Sequence, residues 1–571
     1  MNRPWWVDAV VYQVYLRSFA DSDGDGVGDL AGLRARFSHL VSLGVDALWL
    51  NPCYVSPQRD HGYDIADYFA VDPQYGSVED VRALVQDAHA AGLRVLMDMV
   101  ANHCSDQHPW FVEAAAAPAG APARDRFLFR DGKGPGGALP PNNWGSVFGG
   151  PAWTRVREQD GRLGQWYLHS FDSSQPDLNW RNAEVRRYFE DVLRFWFDLG
   201  VDGFRIDVAQ GMVVAKDLPD LTAEHRGVAG GHPMWDQPEV HDIYRGWRQV
   251  GDTYGEERYF VGEIWVQGAE RLRSYLKADE LHQAFHFDLL VQPWHAARVR
   301  EAIDNGLRTA RVSGRPTAWA LNNHDVHRVV TRYGQEQDLT RPDPDDLLAA
   351  ARHTGPVDVE LGRTRARAAA MLLLALPGSV FLYQGEELGL AEDLTLPDHA
   401  RQDPIWLRSG GAQLGRDGCR VPLPWEAGAR SFGFGPRDGA QPWLPMPADF
   451  AESAVDRQEQ DPDSFLTLYR TLLGLRRSLF DADDPLEWLV SPSPDVLAFR
   501  RGSGLCVVNF GPVPVSLSEE TADAVVARSR PGLEPAVPQD AAAWIDADRV
   551  PGALERHLWT SASVQGAPTR L

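Results

Sequence analysis

Cysteine is nearly absent from this chain: Cys53, Cys104, Cys419 and Cys506 are the four in 571 residues. None forms a Cys-x-x-Cys pair, and they are too sparse for a disulfide framework. That excludes a zinc ribbon, a dithiol redox site and a stapled secreted scaffold. Long apolar runs are also missing. The longest, near Met371 to Leu376, falls far short of the roughly 20 residues that span a bilayer. Asp8, Tyr12, Gln13 and Arg17 break up the N-terminal segment before it can form the apolar core of a secretion signal. Positive charge is in deficit, with 56 Lys and Arg against 80 Asp and Glu, a formal net charge of −24. Such a surface repels nucleic-acid backbones and acidic lipid, so neither nucleic acid nor membrane is an expected partner. A dinucleotide-binding fingerprint, clustered His/Cys ligands and solenoid repeats are not found. What remains is a cytoplasmic globular protein that handles a small neutral or cationic molecule.

What is present begins with Gly203-Phe204-Arg205-Ile206-Asp207-Val208. The period changes there from helical to extended, so Arg205 and Asp207, two apart, share one face of a strand. The same change recurs along the chain. Strands are predicted at Val10 to Phe19, Val45 to Leu50, Leu93 to Val100, Val201 to Val208, Tyr259 to Ile264, Ala284 to Leu290, Ala318 to Asn322 and Ser379 to Tyr383. Helices such as Leu30 to Leu43, Val78 to Ala91 and Val185 to Leu199 alternate with them. Eight strands in this alternation predict an α/β fold, a (β/α)₈ TIM barrel, with polar residues at the C-terminal strand ends where barrel chemistry sits. Two connections are too long to be simple loops. Residues 104–175, rich in Pro, Gly, Asn and aromatics, read as an inserted domain after the third strand. Residues near 211–251 read as a second insertion that roofs a pocket. The barrel therefore takes residues 1–103 and 176–485. From 486 to 571 short strands between Gly- and Pro-rich turns predict a C-terminal antiparallel β domain, expected as a sandwich, with a frayed tail at the end.

Asp21-Ser22-Asp23-Gly24-Asp25-Gly26-Val27-Gly28-Asp29 alternates acids with tightly wrapping glycines. Asp21, Asp23, Asp25, the Val27 carbonyl and Asp29 offer oxygen ligands to one point, which predicts a structural Ca²⁺ or Mg²⁺ and argues against zinc. Position twelve is Gly32, so this is not an EF-hand.

Three acids end three different strands: Asp207, Glu263 and Asp325. In a closed barrel these converge, with His103 and His324 beside them and Tyr63, Phe148, Phe171 and Trp265 as ring candidates. Carboxylates with imidazoles and stacking rings suit cleavage of a sugar linkage through a cationic transition state. The four motifs Asp98-Met99-Val100-Ala101-Asn102-His103, Gly203-Phe204-Arg205-Ile206-Asp207, Gly262-Glu263-Ile264-Trp265 and Asn322-Asn323-His324-Asp325, in this order, resemble the alpha-amylase family, glycoside hydrolase family 13. The opening Trp6 to Tyr15 and the stretch His61 to Tyr68 are most similar to bacterial alpha-glucosidases and oligo-1,6-glucosidases.

The resemblance implies Asp207 as nucleophile, Glu263 as acid/base and Asp325 as transition-state stabiliser. Arg205 would orient Asp207, and His103 and His324 would donate to sugar hydroxyls. Tyr63, Phe148 and Phe171 would line the sugar, and Asp64 with Arg416 would clamp its non-reducing end, Arg420 being the rival for that clamp. Glu386 and Glu387 are expected to cap the eighth strand without touching sugar. The implied activity is an exo-acting, retaining alpha-glucosidase releasing glucose from maltose, sucrose and maltotriose by double displacement. An oligo-1,6-glucosidase, a glucosyltransferase or a sucrose or maltose isomerase shares the same intermediate, and a non-catalytic, transporter-associated protein would have lost an acid. Linkage stays open. Val208 after the nucleophile resembles 1,6-specific relatives, while Val208 to Met212 resembles enzymes of maltose-like and sucrose-like substrates, toward which the expectation leans.

Overall fold

The computed structural model describes residues 3–158, 160–225, 232–255, 258–266, 268–339, 355–481, 483–532, 535–550 and 558–559. The expected tail at 560–571 and part of the second insertion, 226–231, lie outside them.

Eight parallel strands form the centre: β1 Val10–Val14, β2 Ala47–Leu50, β3 Arg94–Met99, β4 Gly203–Ile206, β5 Tyr259–Gly262, β6 Gln283–Ala284, β7 Ala318–Ala320 and β8 Ser379–Tyr383. Their spatial order is β6-β5-β4-β3-β2-β1-β8-β7. A parallel bridge between Phe285 and Ala318 joins β6 to β7 and closes the ring. Each strand is buried on both faces, so its apolar residues divide into two sets by parity. Val11, Ala47, Trp49, Leu96, Tyr259, Val261, Ala318, Ala320 and Phe381 pack together. Their odd-even partners, such as Val10, Leu48, Val95, Phe204, Phe260 and Val380, belong to the larger core shared with the surrounding helices.

The expected elements shift in three places. The strand expected over Val10 to Phe19 ends at Val14, and Leu16–Ser18 is a 3₁₀ turn. The apolar run Ala284 to Leu290 is extended only at Gln283–Ala284 and turns helical at Phe287–Leu290. A short apolar run has no decisive period, and helix and strand satisfy it equally. The helix expected over Leu30 to Leu43 is two, Leu30–Ala35 and Phe37–Leu43, broken at Arg36 with φ −102° and ψ 12°.

Between β3 and β4 the chain builds an antiparallel three-stranded sheet from Phe129–Arg130, Leu163–Leu168 and Trp153–Arg157. After the helix Phe465–Leu479 comes an antiparallel five-stranded sheet of Glu487–Trp488, Val496–Arg501, Gly504–Asn509, Ala541–Asp546 and Val525–Arg528. Trp544 ties it to the barrel layer, its indole donating to the Met371 carbonyl at 3.0 Å. Among the described residues no helix is long and apolar enough to cross a membrane.

Candidate active site

Strand parity delivers the site. Continuing the inward set past Val11, Trp49, Leu96 and Val261 gives Gln13, Asn51, Asp98 and Glu263. On β4 the same face carries Arg205 and then Asp207. All six gather at the C-terminal end of the ring. Arg205, 1% exposed, is the hub. One guanidinium nitrogen donates to Asp98 at 2.8 Å and to Asp207 at 2.6 Å. The other donates to Glu263 at 2.5 Å. Glu263 further accepts the Trp265 indole N–H at 3.1 Å and the Val208 amide at 3.2 Å.

Three buried carboxylates therefore face one guanidinium, an excess of negative charge in a dry space. Burial pushes the Asp207 carboxyl up, as do Glu263, Asp98 and Asp325, against the pull of Arg205. Burial likewise pushes Asp98 up to about 6, opposed by Arg205 and the Tyr63 hydroxyl.

Asp325 has the opposite environment. One carboxylate oxygen accepts from Arg416 at 2.9 Å and from Arg420 at 3.0 Å. Burial would raise its pKa, but the charges of Arg416, Arg420 and Arg205 oppose burial, and Asp325 is held below the usual carboxylate range. The two arginines thus share Asp325 rather than compete for it. Arg416 extends further, to Asp60 at 2.7 Å and Asp403 at 2.6 Å.

Asp64 is not brought to Arg416. Its oxygens accept the Ser56 hydroxyl at 3.0 Å and the amides of Arg59 and Asp60 at 2.9 and 3.0 Å, so it braces its own turn. The acid facing Arg416 is Asp60, four residues earlier. Burial pushes Asp60 up to about 6 against Arg416 and Arg420.

His324 stacks on Tyr63, centroids 5.1 Å apart and nearly parallel, and its Nδ1 meets the Gln13 amide at 2.8 Å. His103 Nε2 lies 3.1 Å from the Tyr63 carbonyl. Burial lowers both imidazoles, His103 to about 4, so they are neutral at pH 7. Phe171 tilts against His103 at 5.2 Å and against Phe148 at 5.4 Å, and the Arg416 guanidinium lies 4.9 Å from the Phe148 ring centroid. Glu386 and Glu387 remain outside this group. Glu386 accepts from Asn322 and Tyr469, and Glu387 from Tyr12.

Sequence reasoning gave Asp98 no role beyond opening a motif, and it passed over Asp60 and Asp403. The parity of β3 flags Asp98, since it lies two residues beyond inward-facing Leu96. Asp60 has no local signal, because its partner Arg416 is remote in the chain, and Asp403 reads locally only as the N-cap of Pro404–Arg408.

Asp21, Asp23 and Asp29 present carboxylate oxygens within 4.8 Å of one another, a group able to hold a metal ion. Burial raises the pKa of Asp21, with Asp25 and Asp23 adding to it and the Gly24 and Gly26 amides opposing, which is the environment a cation would relieve. Asp25 is outside the group, its carboxylate accepting the Val27 amide at 2.7 Å.

Comparison with known proteins agrees with this geometry. Residues 13–482 match the family model "Alpha amylase, catalytic domain". The chain is 38% identical over 496 residues to a probable alpha-glucosidase of Rhizobium meliloti, covering 84% of this chain and 83% of that one. It is 34% identical over 539 residues to an oligo-1,6-glucosidase of Heyndrickxia coagulans, with 87% and 90% covered. Among solved structures it superposes on an alpha-glucosyl transfer enzyme at 34% identity, TM-score 0.80, covering 95% of this chain and all of that one. An isomaltulose synthase from Klebsiella sp. LX3 matches at 30% identity and TM-score 0.80, with the same coverage.

Proposed function

Since the chain belongs to the alpha-amylase family, glycoside hydrolase family 13, in its alpha-glucosidase and oligo-1,6-glucosidase branch, we propose that it is a retaining glucosidase that takes one glucosyl unit from the non-reducing end of short alpha-glucosides. The observation that carries this is the shared hub: Asp207 and Glu263 are held by the two terminal nitrogens of one guanidinium. That arrangement supports the short carboxylate spacing of retaining enzymes, about 5 Å, rather than the roughly 6.5–9.5 Å of inverting ones.

In this reading Glu263 gives its proton to the glycosidic oxygen as Asp207 attacks the anomeric carbon from the opposite face. The aglycone leaves as an alcohol, and a covalent glucosyl ester forms on Asp207. Glu263, now a carboxylate, takes a proton from water, whose oxygen displaces Asp207 with net retention. A sugar hydroxyl in place of water transfers the glucose instead. Asp325 is kept ionised by Arg416 and Arg420, so it can grip sugar hydroxyls and favour the positive charge that develops in the ring. Arg416, bound to both Asp325 and Asp60, would close the non-reducing end, and His103 and His324 would contact hydroxyls of the same glucose.

For linkage, the relatives favour α-1,6 cleavage and glucosyl transfer over the α-1,4 hydrolysis expected from the sequence, and they leave sucrose as a substrate in place. Several are oligo-1,6-glucosidases, and the solved neighbours include the glucosyl transfer enzyme and an isomaltulose synthase whose natural substrate is sucrose. Val208 supports the same reading. This β-branched residue sits at φ 42°, a strained conformation, with its amide on Glu263. We also assign the Asp21, Asp23 and Asp29 group to Ca²⁺ or Mg²⁺, which would neutralise clustered carboxylates and takes no part in the chemistry. Residence in the cytoplasm is in keeping with four free, buried cysteines.

The test is kcat/KM on isomaltose, maltose, sucrose, trehalose and soluble starch under one condition, with the anomer of the first glucose released read by NMR. Isomaltose is expected to lead and α-glucose to appear first. A lead for maltose or sucrose returns the linkage to the first expectation. A lead for starch refutes the closed end, and β-glucose refutes retention.

A further inference from the structure

Phe148 and Phe171 lie on two loops of the inserted region, and the question is what holds them over Arg416 and His103. Within the loops the Ser146 amide donates to the Gly150 carbonyl at 2.9 Å, the Gly149 amide donates to the Ser146 carbonyl at 3.0 Å, and His169 Nδ1 lies 3.0 Å from the Phe171 carbonyl. The Ser146 hydroxyl donates to the Phe171 carbonyl at 2.6 Å and accepts the Phe148 amide at 3.1 Å. The Val147 amide donates to the Ser170 carbonyl at 2.9 Å. Phe148 is followed by Gly149 and Gly150, at φ 91° and 77°, left-handed positions where backbone freedom is greatest.

Across the site, Arg408 reaches both loops at once. Its Nε and one terminal nitrogen donate to the Gly149 carbonyl at 3.0 and 2.6 Å, and its other terminal nitrogen donates to Asp172 at 3.0 Å. The fit leaves little space, since a Cβ on Gly150 would lie 3.2 Å from the Arg408 guanidinium. Both side chains of the ion pair are 19% exposed, so the pair is shielded from most of the solvent that weakens surface bridges. Burial would raise the Asp172 pKa, but Ser174 and Arg408 hold it below the ordinary value, so it is ionised.

Arg408 ends the helical turn Pro404–Arg408, whose N-cap is Asp403. One Asp403 oxygen accepts the Ile405 amide at 2.7 Å, and the other accepts Arg416 Nε at 2.6 Å. The contacts therefore close a ring: Arg416 to Phe148, along the loop to Gly149, across to Arg408, back through its turn to Asp403, and so to Arg416.

We propose that Arg408 is a positioning residue, a latch that pins the Phe148 and Phe171 loops over Arg416 and thereby sets affinity for the glucose unit and the exclusion of water from the glucosyl-enzyme. This rests on the glucosidase reading above. Arg408 touches no reacting atom, and it acts through Phe148 and the Arg416–Asp325 pair. With the latch cut, the ring over Arg416 lifts and the non-reducing end becomes wetter. Asp207, Glu263 and Arg205 are held by strands and stay in place. Binding should weaken far more than the chemical step, and water should gain on sugar acceptors.

The experiment compares wild type, Arg408→Ala, Phe148→Ala and the double variant on isomaltose. For Arg408→Ala we expect KM to rise about tenfold, kcat to stay within about twofold, and the ratio of transfer to hydrolysis at high substrate to fall by half or more. The double variant should be no worse than the worse single one, because both remove the same contact. Arg408→Lys, with one donor group in place of a fork, should recover part of KM. If Arg408→Ala does not fold, Arg408→Gln takes its place in the cycle. Amide exchange at residues 147–150 should quicken in the Arg408 variant. Unchanged KM and exchange, or effects that simply add in the double variant, would overturn the latch. A wild type inert on all alpha-glucosides would instead overturn the functional reading, and the exchange result would still decide the latch.

Discussion

Asp177 offers a sharp test of how burial controls the charged groups of this chain. It is 2% exposed, and its carboxylate meets only neutral donors, the Ser170 amide at 2.9 Å and the Ser170 hydroxyl at 2.5 Å. Burial pushes its pKa from the ordinary 3.8 up to about 7, the two Ser170 bonds opposing. The folded state thus holds a proton that the unfolded chain releases, between pH 3.8 and 7. Where the native state binds more protons, stability falls as pH rises, so the loss begins near pH 4 and is complete above 7. Across that interval, at 1.36 kcal/mol per pH unit, it amounts to about 4 kcal/mol. Asp177→Asn keeps an acceptor for the Ser170 amide and cannot ionise, which removes the loss. Expected is a variant close to wild type at pH 4 and more stable at pH 8, the gap opening by up to about 4 kcal/mol. Urea unfolding, or melting temperature where unfolding is irreversible, measured from pH 4 to 8, reads this. Parallel pH profiles for the two proteins would refute the reasoning.

Three other outcomes follow from the site. Asp207→Ala should lose at least about 10⁴-fold in kcat, while Glu263→Gln should keep much of its rate on aryl alpha-glucosides whose leaving groups need no proton; near wild-type turnover by Asp207→Ala would end the assignment. Asp60→Asn should raise KM about tenfold by removing one of the three carboxylates that hold Arg416, whereas Asp64→Asn should lower melting temperature through its turn and leave KM within about twofold; kinetics with the reverse pattern would restore Asp64 as the clamp. Chelation should lower the melting temperature by several degrees without changing kcat of the folded fraction, and Asp21→Ala should abolish that response; an unmoved melting curve of wild type would remove the metal.

Local pattern carried most of what could be read without coordinates. Alternation of helical and extended periods is written into successive residues, because burying both faces of a parallel strand demands unbroken apolar runs closed by turn residues. The barrel and the strand ends bearing Asp207, Glu263 and Asp325 were therefore legible. So was the pairing of Arg205 with Asp207, which needs only the two-residue repeat of a strand. The sixth strand shows where this information ends: Phe285 to Leu290 satisfies either period, and the ring closing on Ala318 left room for one short strand before the chain turned helical. The clamp lay wholly beyond local pattern. Asp60 and Asp64 are the same residue type four positions apart in one loop, and only the packed structure turns one toward Arg416 and the other onto its own turn. Arg408 is likewise an ordinary basic residue until the fold carries it to Asp172 and Gly149. Charge pairing over such separations is decided by which loops the barrel brings together, and no periodicity in the chain encodes that.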